Sequence, residues 1–427
     1  VISRRRLLQF TAAAAGAGAA LRWSPGSVLA SEGALPPSLA ALKSMKTLAK
    51  PITREERAAR LDKARRLMAE NRLDAMLLIG GTSLVYFTGI RWWLSERLFT
   101  LVLPARGQAF FVCPAFEADR SHEQIALGPL DKETPVLLWE EDESPYKLVA
   151  QGLKERGIAS GRVGIEETVR FVYADGVAKA APALELVSAT PVTAGCRQVK
   201  SAHEIELMRL ASKVTITAYE AAWRALKPGM TESDFETLVS TAHERLGFEG
   251  GAGVQTGIYS ALPHGSLTPQ VIRENTILLM DGGCRVEGYE SDISRTFVLG
   301  KPSDKMKKVF EIVHKAQSAA LGTARPGVEA QSVDAAARKV IEDAGYGPGY
   351  KYFSHRVGHG IGMDGHEWPY LVRGDAVALQ PDMVFSDEPG IYTRGEFGVR
   401  LEDDLHITEN GAELFTSQSP SLEHPFG

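Results

Sequence analysis

Cysteine is scarce in this 427-residue chain: there are three, Cys113, Cys196 and Cys284. They are spaced too far apart for a zinc ribbon, and an odd, sparse set is no disulfide framework. Each reads as a small buried hydrophobe. Positive charge is not in excess either. A formal net charge of -5 gives no reason to expect nucleic acid as a partner. No apolar run reaches the roughly 18 residues that a stable membrane span needs, and no short-period repeat marks a solenoid. Hydrophobic residues at 44% and charged residues at 24% are the balance of a soluble globular protein with a sizeable core. The length suggests two or three domains.

The first thirty residues read differently from the rest. Ser3-Arg4-Arg5-Arg6-Leu7-Leu8 resembles a twin-arginine export motif, and the alanine-rich stretch from Phe10 to Leu21 is too short to anchor in a bilayer. Val28-Leu29-Ala30 supplies small residues for signal cleavage before Ser31. Residues 1–30 are therefore expected to be a signal peptide directing the protein to the periplasm or outside the cell. Export by that route carries proteins already folded.

Residues 31–50, rich in Pro, Ser and Ala, read as a linker. Thr53 with Glu56 forms a capping box that opens a helix to about Arg72. Short apolar runs at Ala75–Ile79, Leu84–Phe87, Phe99–Leu103, Ala109–Val112 and Val136–Trp139 predict strands. A helix over Tyr146–Arg156 and a strand at Arg162–Ile165 follow, so residues 51–192 form an α/β domain. The pattern breaks around Thr190–Lys200, and the second domain is taken as 197–427. Ser201 with Glu204 caps a long helix to about Leu226, and Thr231 with Asp234 caps the next. Strand-like segments beyond Gly247, helices near Asp304–Thr323 and Ser332–Ala344, and a strand-rich end complete an α+β chain. Trp92 and Trp93 are expected in the core, the alternative being a dimer contact or a lid.

The chemistry-bearing residues crowd into the second domain. Four aliphatics, Ile277 to Met280, deliver Asp281, which should stand at the end of a strand; eleven residues on, Asp292 can return to the same end of a hairpin. A carboxylate behind four aliphatics is costly to bury unless it is paired or bound to metal. His355-Arg356-Val357-Gly358-His359-Gly360 and His366 follow, with glycines that let backbone approach a site and imidazoles that can ligate or donate protons. Glu388 again trails a hydrophobic strand. In Gly398-Val399-Arg400-Leu401-Glu402, the period of two puts Arg400 and Glu402 on one face.

This ordered set resembles the pita-bread metallopeptidases, in the branch that holds prolidase and aminopeptidase P. The likeness covers the whole mature chain and is most specific in the catalytic half. The family's paired aspartates, its His-Gly loop, Glu-Pro-Gly-x-Tyr at Glu388–Tyr392 and Gly-Val-Arg-x-Glu-Asp at Gly398–Asp403 occur in order. The resemblance implies a creatinase-like α/β N-terminal domain followed by a pita-bread catalytic domain. It also implies two divalent metal ions held by Asp281, Asp292, His359, Glu388 and Glu402, with Asp292 and Glu402 as bridges. Manganese is favoured, with cobalt, zinc or iron as alternatives. A hydroxide shared by the two ions would attack the peptide bond before proline in Xaa-Pro dipeptides or short peptides. Glu388 would also shuttle a proton, His264 and His366 would steady the tetrahedral intermediate or the substrate, and Arg373 would meet a product-side carboxylate. Arg295 and Arg400 would buttress the metal carboxylates. A homodimer is implied as well.

Competing readings are a hydrolase or lyase of the same fold acting on a non-proline substrate, and a non-catalytic binding module. Lyase-type relatives carry an additional acid near the first aspartate, where this chain has Gly283. A binding module would not need the complete set of five ligands. Any one of the five could be a buried salt-bridge partner, but jointly they are not easily explained so.

Overall fold

The computed structural model describes residues 35–427; the expected signal peptide, residues 1–30, lies outside the described residues. Residues 35–50 are not a free linker. A short helix, α1 (Pro37–Ala40), buries Leu39 in the core of the second domain, and Ser38 Oγ donates to the Ala221 carbonyl at 2.8 Å. The Met45 amide likewise donates to the Leu246 carbonyl.

The first domain is one six-stranded mixed sheet, ordered β4-β3-β2-β1-β5-β6 and covered by helices. Its strands are β1 (Ala75–Ile79), β2 (Thr100–Pro104), β3 (Phe110–Pro114), β4 (Val136–Trp139), β5 (Gly161–Ile165) and β6 (Leu184–Ser188). β1, β5 and β6 run parallel, so the loops after β1 and β5 leave the same edge of the sheet. The helices are α2 (Arg54–Glu70), α3 (Thr82–Thr88), α4 (Ala118–Leu127), α5 (Pro145–Glu155), α6 (Phe171–Ala180) and α7 (Thr190–Arg197). The capping box at Thr53 and Glu56 starts α2 as expected.

Two local expectations are corrected. Leu84–Phe87 lies in helix α3, not in a strand. Gly89, at φ 79°, ends that helix in the left-handed region, and its amide reaches the Val85 carbonyl. Burial of both Leu84 and the Tyr86–Phe87 pair masks any face preference, and a run of four apolar residues does not distinguish helix from strand. The supposed break at Thr190 is the start of α7, with proline at a helix start, where its missing N–H costs nothing. Cys196 on α7 is buried in the first domain's core, and Cys113 and Cys284 are likewise buried and free. Trp92 is also core, stacked on Phe99 with centroids 3.8 Å apart, whereas its neighbour Trp93 is half exposed.

The second domain consists of two helix-backed sheets. In one half, α8 (Ala202–Trp223) and α9 (Glu232–Leu246) pack on β7 (Glu249–Thr256), β8 (Ile277–Val286), β9 (Tyr289–Glu290) and β10 (Ile293–Val298). In the other, α10 (Asp304–Thr323) and α11 (Ala330–Asp343) pack on the later strands. These are β11 (Gly358–Gly360), β12 (Glu367–Leu371), β13 (Val384–Asp387), β16 (Asp403–Ile407) and β17 (Ala412–Leu414), with the hairpin β14 (Gly390–Thr393) and β15 (Phe397–Arg400) between the halves. Both predicted capping boxes, at Ser201 and Thr231, are present. Among the described residues no helix is long and apolar enough to cross a membrane.

A buried polar cluster ties the domains together. Arg60 on α2 donates to the Tyr86 carbonyl at 2.9 Å and to the Tyr289 hydroxyl at 2.7 Å, and lies 3.3 Å from Glu204. Tyr289 in turn donates to Glu204 at 2.7 Å.

Candidate metal centre

Asp281 does not end its strand. β8 runs on for five residues to Val286, and Asp281 sits mid-strand, paired across the ladder with Ser294 of β10. Gly283 explains the continuation. A Cβ there would lie 1.7 Å from the Ser291 carbonyl oxygen, so only glycine lets the returning chain pass. The same crowding leaves no room for an acidic side chain at that position. Asp292 immediately precedes β10, and its amide is held by Asp404, whose carboxylate oxygens lie 3.4 Å away.

β11 carries His359, and Glu388 directly follows β13. Glu402 lies between β15 and β16, on the side of Arg400, while Val399 and Leu401 are buried in the opposite core. Donor atoms of these residues converge. Asp281, Asp292 and Glu402 offer ligand atoms within 4.8 Å of one another, as do His359, Glu388 and Glu402. A third such group joins Asp292, His359 and His366. Asp292, His359 and Glu402 each belong to two groups, and of these three only the two carboxylates carry the pair of oxygens that a bridge between cations requires.

The electrostatics fit cations. Burial and the neighbouring carboxylates Asp281 and Glu388 push Asp292 well above the usual carboxylate range. Burial, Asp292 and Glu388 do the same to Glu402. Burial also acts upward on Glu388, but the His359 hydrogen bond and the charges of His355, His359 and Arg400 outweigh it and hold Glu388 at about 2. Four crowded carboxylates cannot all stay ionised alone. Two divalent ions would neutralise them, and an oxygen-rich set with one imidazole suits manganese, iron, cobalt or zinc.

Neighbouring side chains fix the orientation of the donors. His359 Nδ1 lies 3.2 Å from the Gly360 carbonyl, to which it donates, leaving Nε2 free to ligate, 3.2 Å from Glu388 and 3.8 Å from Asp292. Arg400 contacts Asp281 directly. Arg295 instead pairs with Asp403 at 2.7 Å and donates to the Glu402 carbonyl at 2.9 Å, so it supports the backbone of that ligand and not its carboxylate. Ser294, Arg356, Tyr392 and Asp404 were not singled out as site groups from sequence. Ser294 Oγ lies 2.7 Å from both Asp281 and Glu402, and its single proton can serve only one of them at a time.

His366 stacks on His359 with ring centroids 3.8 Å apart. Arg356 donates to its Nδ1 at 3.1 Å, so the ring proton sits on Nε2. Burial, then the charges of His359 and Arg356, lower His366 to about 4, and the ring is neutral at pH 7. His355 donates through Nδ1 to the Arg356 carbonyl and accepts from the Tyr392 hydroxyl at 2.8 Å. His264 is exposed beside the cluster, close enough for its charge to lower both His355 and His366. Arg373 is not brought to the cluster. The Gly374 amide donates to Gln331 on α11, and the Arg373 guanidinium stands 5.5 Å from the centroid of the Tyr350 ring, on a cavity it lines with Asp334 and Asp343.

Comparison with known proteins agrees with this geometry. Residues 206–409 match metallopeptidase family M24, and residues 60–199 match the creatinase/prolidase N-terminal domain. The chain is 33% identical over 372 residues to an Xaa-Pro dipeptidase of Lactobacillus delbrueckii subsp. lactis, covering 85% of this chain and 98% of that one. The solved dipeptidase PepE of Mycobacterium ulcerans superposes with a TM-score of 0.82 at 33% identity, covering 88% of this chain and 99% of that one. A prolidase of Thermococcus sibiricus gives 0.77 at 30% identity, with coverage of 86% and 98%.

Proposed function

This chain belongs to metallopeptidase family M24 and is a hydrolase, and we propose that it cleaves the peptide bond before proline in Xaa-Pro dipeptides or short peptides. The observation that carries the reading is the convergence of Asp281, Asp292, His359, Glu388 and Glu402 in overlapping groups linked through Asp292, His359 and Glu402. Asp281, Asp292, His359, Glu388 and Glu402 would hold two divalent ions, manganese first among them. When bound, such a pair supplies a water nucleophile at neutral pH and polarises the scissile carbonyl.

The remaining steps belong to the chain itself. Glu388, held ionised, takes the proton of the attacking water and returns it to the departing imino nitrogen of proline. His366 presents its Nε2–H, held in that tautomer by Arg356, to the oxygen on which negative charge develops. His264, at the exposed rim, orients the substrate. Arg373, turned away over Tyr350, takes no part in this reading.

The decisive assay incubates manganese-loaded enzyme with Ala-Pro, Gly-Pro, longer Xaa-Pro peptides and Ala-Ala. Cleavage of the proline dipeptides with Ala-Ala intact supports the proposal; equal cleavage of Ala-Ala replaces it with a general dipeptidase. Longer peptides separate dipeptidase from aminopeptidase activity. Export by the twin-arginine route, supported by Ser3–Leu8 and the apolar stretch behind it, and a homodimer complete the proposal. Cell fractionation and gel filtration test these two points.

A further inference from the structure

A cavity of about 380 Å³ lies between the two domains. One wall comes from the first domain, from the loops after the parallel strands β1 and β5: Gly80 and Gly81 on one loop, with Thr82 at the start of α3, and Glu166 and Glu167 on the other. The opposite wall is catalytic-domain chain, including His366 and Trp368. Crevices outside the carboxyl ends of parallel strands are the usual ligand sites of open α/β sheets, and the volume falls in the range of about 300–1,000 Å³ for ligand pockets. Because His366 also stacks on His359, the cavity adjoins the metal centre.

Among the described residues no cationic side chain pairs with Glu166. It is 3% exposed, its Oε2 has no hydrogen-bond partner among them, and the groups beside its carboxylate, Ser83, Thr168 and the Ile79 amide, are all neutral. Other charges lining the cavity are already engaged. Arg197 contacts both Asp364 and Glu367 at 2.5 Å, and Glu167 accepts from Thr193 at 2.5 Å. Burial, with the charge of Glu167 added, pushes Glu166 up to about 7 against the lowering effect of Ser83, Thr168 and the Ile79 amide. Folded proteins leave few buried polar groups unsatisfied, and a carboxylate out of water is costly until a donor or a cation meets it. Exposed apolar walls stand in the same cavity: Leu94 is 45% exposed and Trp368 47%. An apolar wall leading to an unpaired carboxylate matches a side chain with an aliphatic stem and a cationic head.

We infer that this cavity receives the side chain of the residue on the amino side of the scissile bond, and that Glu166 selects lysine or arginine there. The inference rests on the Xaa-Pro reading above, since it needs a substrate residue that extends from the metal centre toward the first domain.

The test compares Lys-Pro with Met-Pro, whose side chain has similar length and no charge, in the wild type and in Glu166→Gln. The wild type should favour Lys-Pro in kcat/KM by about tenfold, the scale of a hydrogen bond to a charged group, and Glu166→Gln should lose that preference. A Lys-Pro to Met-Pro ratio that Glu166→Gln leaves unchanged overturns the inference. That holds whether both rates fall together, as recognition of the α-ammonium would make them, or neither moves. A second measurement needs no variant: free lysine should inhibit Met-Pro hydrolysis by the wild type more strongly than norleucine, and equal inhibition counts against Glu166. Failure to cleave Met-Pro and Lys-Pro at all sinks the Xaa-Pro reading and the inference together, whereas cleavage of both without preference sinks the inference alone.

Discussion

Arg400 Nη2 forms an ion pair with Asp281 Oδ2 at 2.7 Å, and Nη1 donates to the Pro263 carbonyl at 3.0 Å, so one guanidinium holds both a metal ligand and the loop that carries His264. It also donates through Nε to Ser294 and through Nη1 to Tyr392. Burial disfavours the charge, but Tyr392 and the carboxylates Asp281, Glu402 and Glu388 hold Arg400 firmly protonated.

Arg400→Lys keeps the charge and loses the planar fork that reaches Asp281, Ser294 and Pro263 together. Metal affinity should fall about 10- to 100-fold, the usual loss when a group that orients a ligand is removed. Competition with a chelator measures it, and an unchanged affinity would show that Arg400 does not position Asp281.

Asp292→Ala removes a residue common to two donor groups. Metal analysis should fall from about two ions per chain to less than one, with hydrolysis lost. Treatment of the wild type with EDTA should abolish activity, and added Mn²⁺ should restore it. Full activity after EDTA would contradict a metal-dependent mechanism.

Arg60→Ala leaves Glu204 and Tyr289 buried without their cationic partner, at the joint between the domains. Breaking a buried pair of this kind costs about 3–5 kcal/mol. Arg97→Ala, which breaks an exposed pair with Glu141, should leave the melting temperature unchanged. Thermal unfolding of the two variants side by side is the check; equal shifts would deny Arg60 its role as a latch.

Much of this was legible from local pattern. The capping boxes at Thr53, Ser201 and Thr231 are read within four residues, and all three open helices. The carboxylates behind aliphatic runs stand out because burial demands a partner for each. Leu84–Phe87 is a helix and not a strand: Gly81 and Gly89 bound it, and its buried residues, Leu84, Tyr86 and Phe87, show no helical periodicity over so short a run. Arg373 falls beside Tyr350 through contacts with α11 and the segment before β11, residues far from it in the chain that no local spacing reveals.

The sequence by itself determined which side chains can ligate metal, where the helices opened by capping boxes begin, and that the chain divides into an α/β part and a catalytic part. Those features are set by residue type and by spacings of a few positions, which act locally. Only the tertiary structure decided that Arg400 reaches Asp281, that Arg356 sets the tautomer of His366, and that Glu166 lines a cavity beside the metal centre with no cation among the described residues paired to it. Each of these joins residues from different strands, loops or domains. Long-range packing brings such groups within a few ångströms, and no local pattern in the chain encodes that distance.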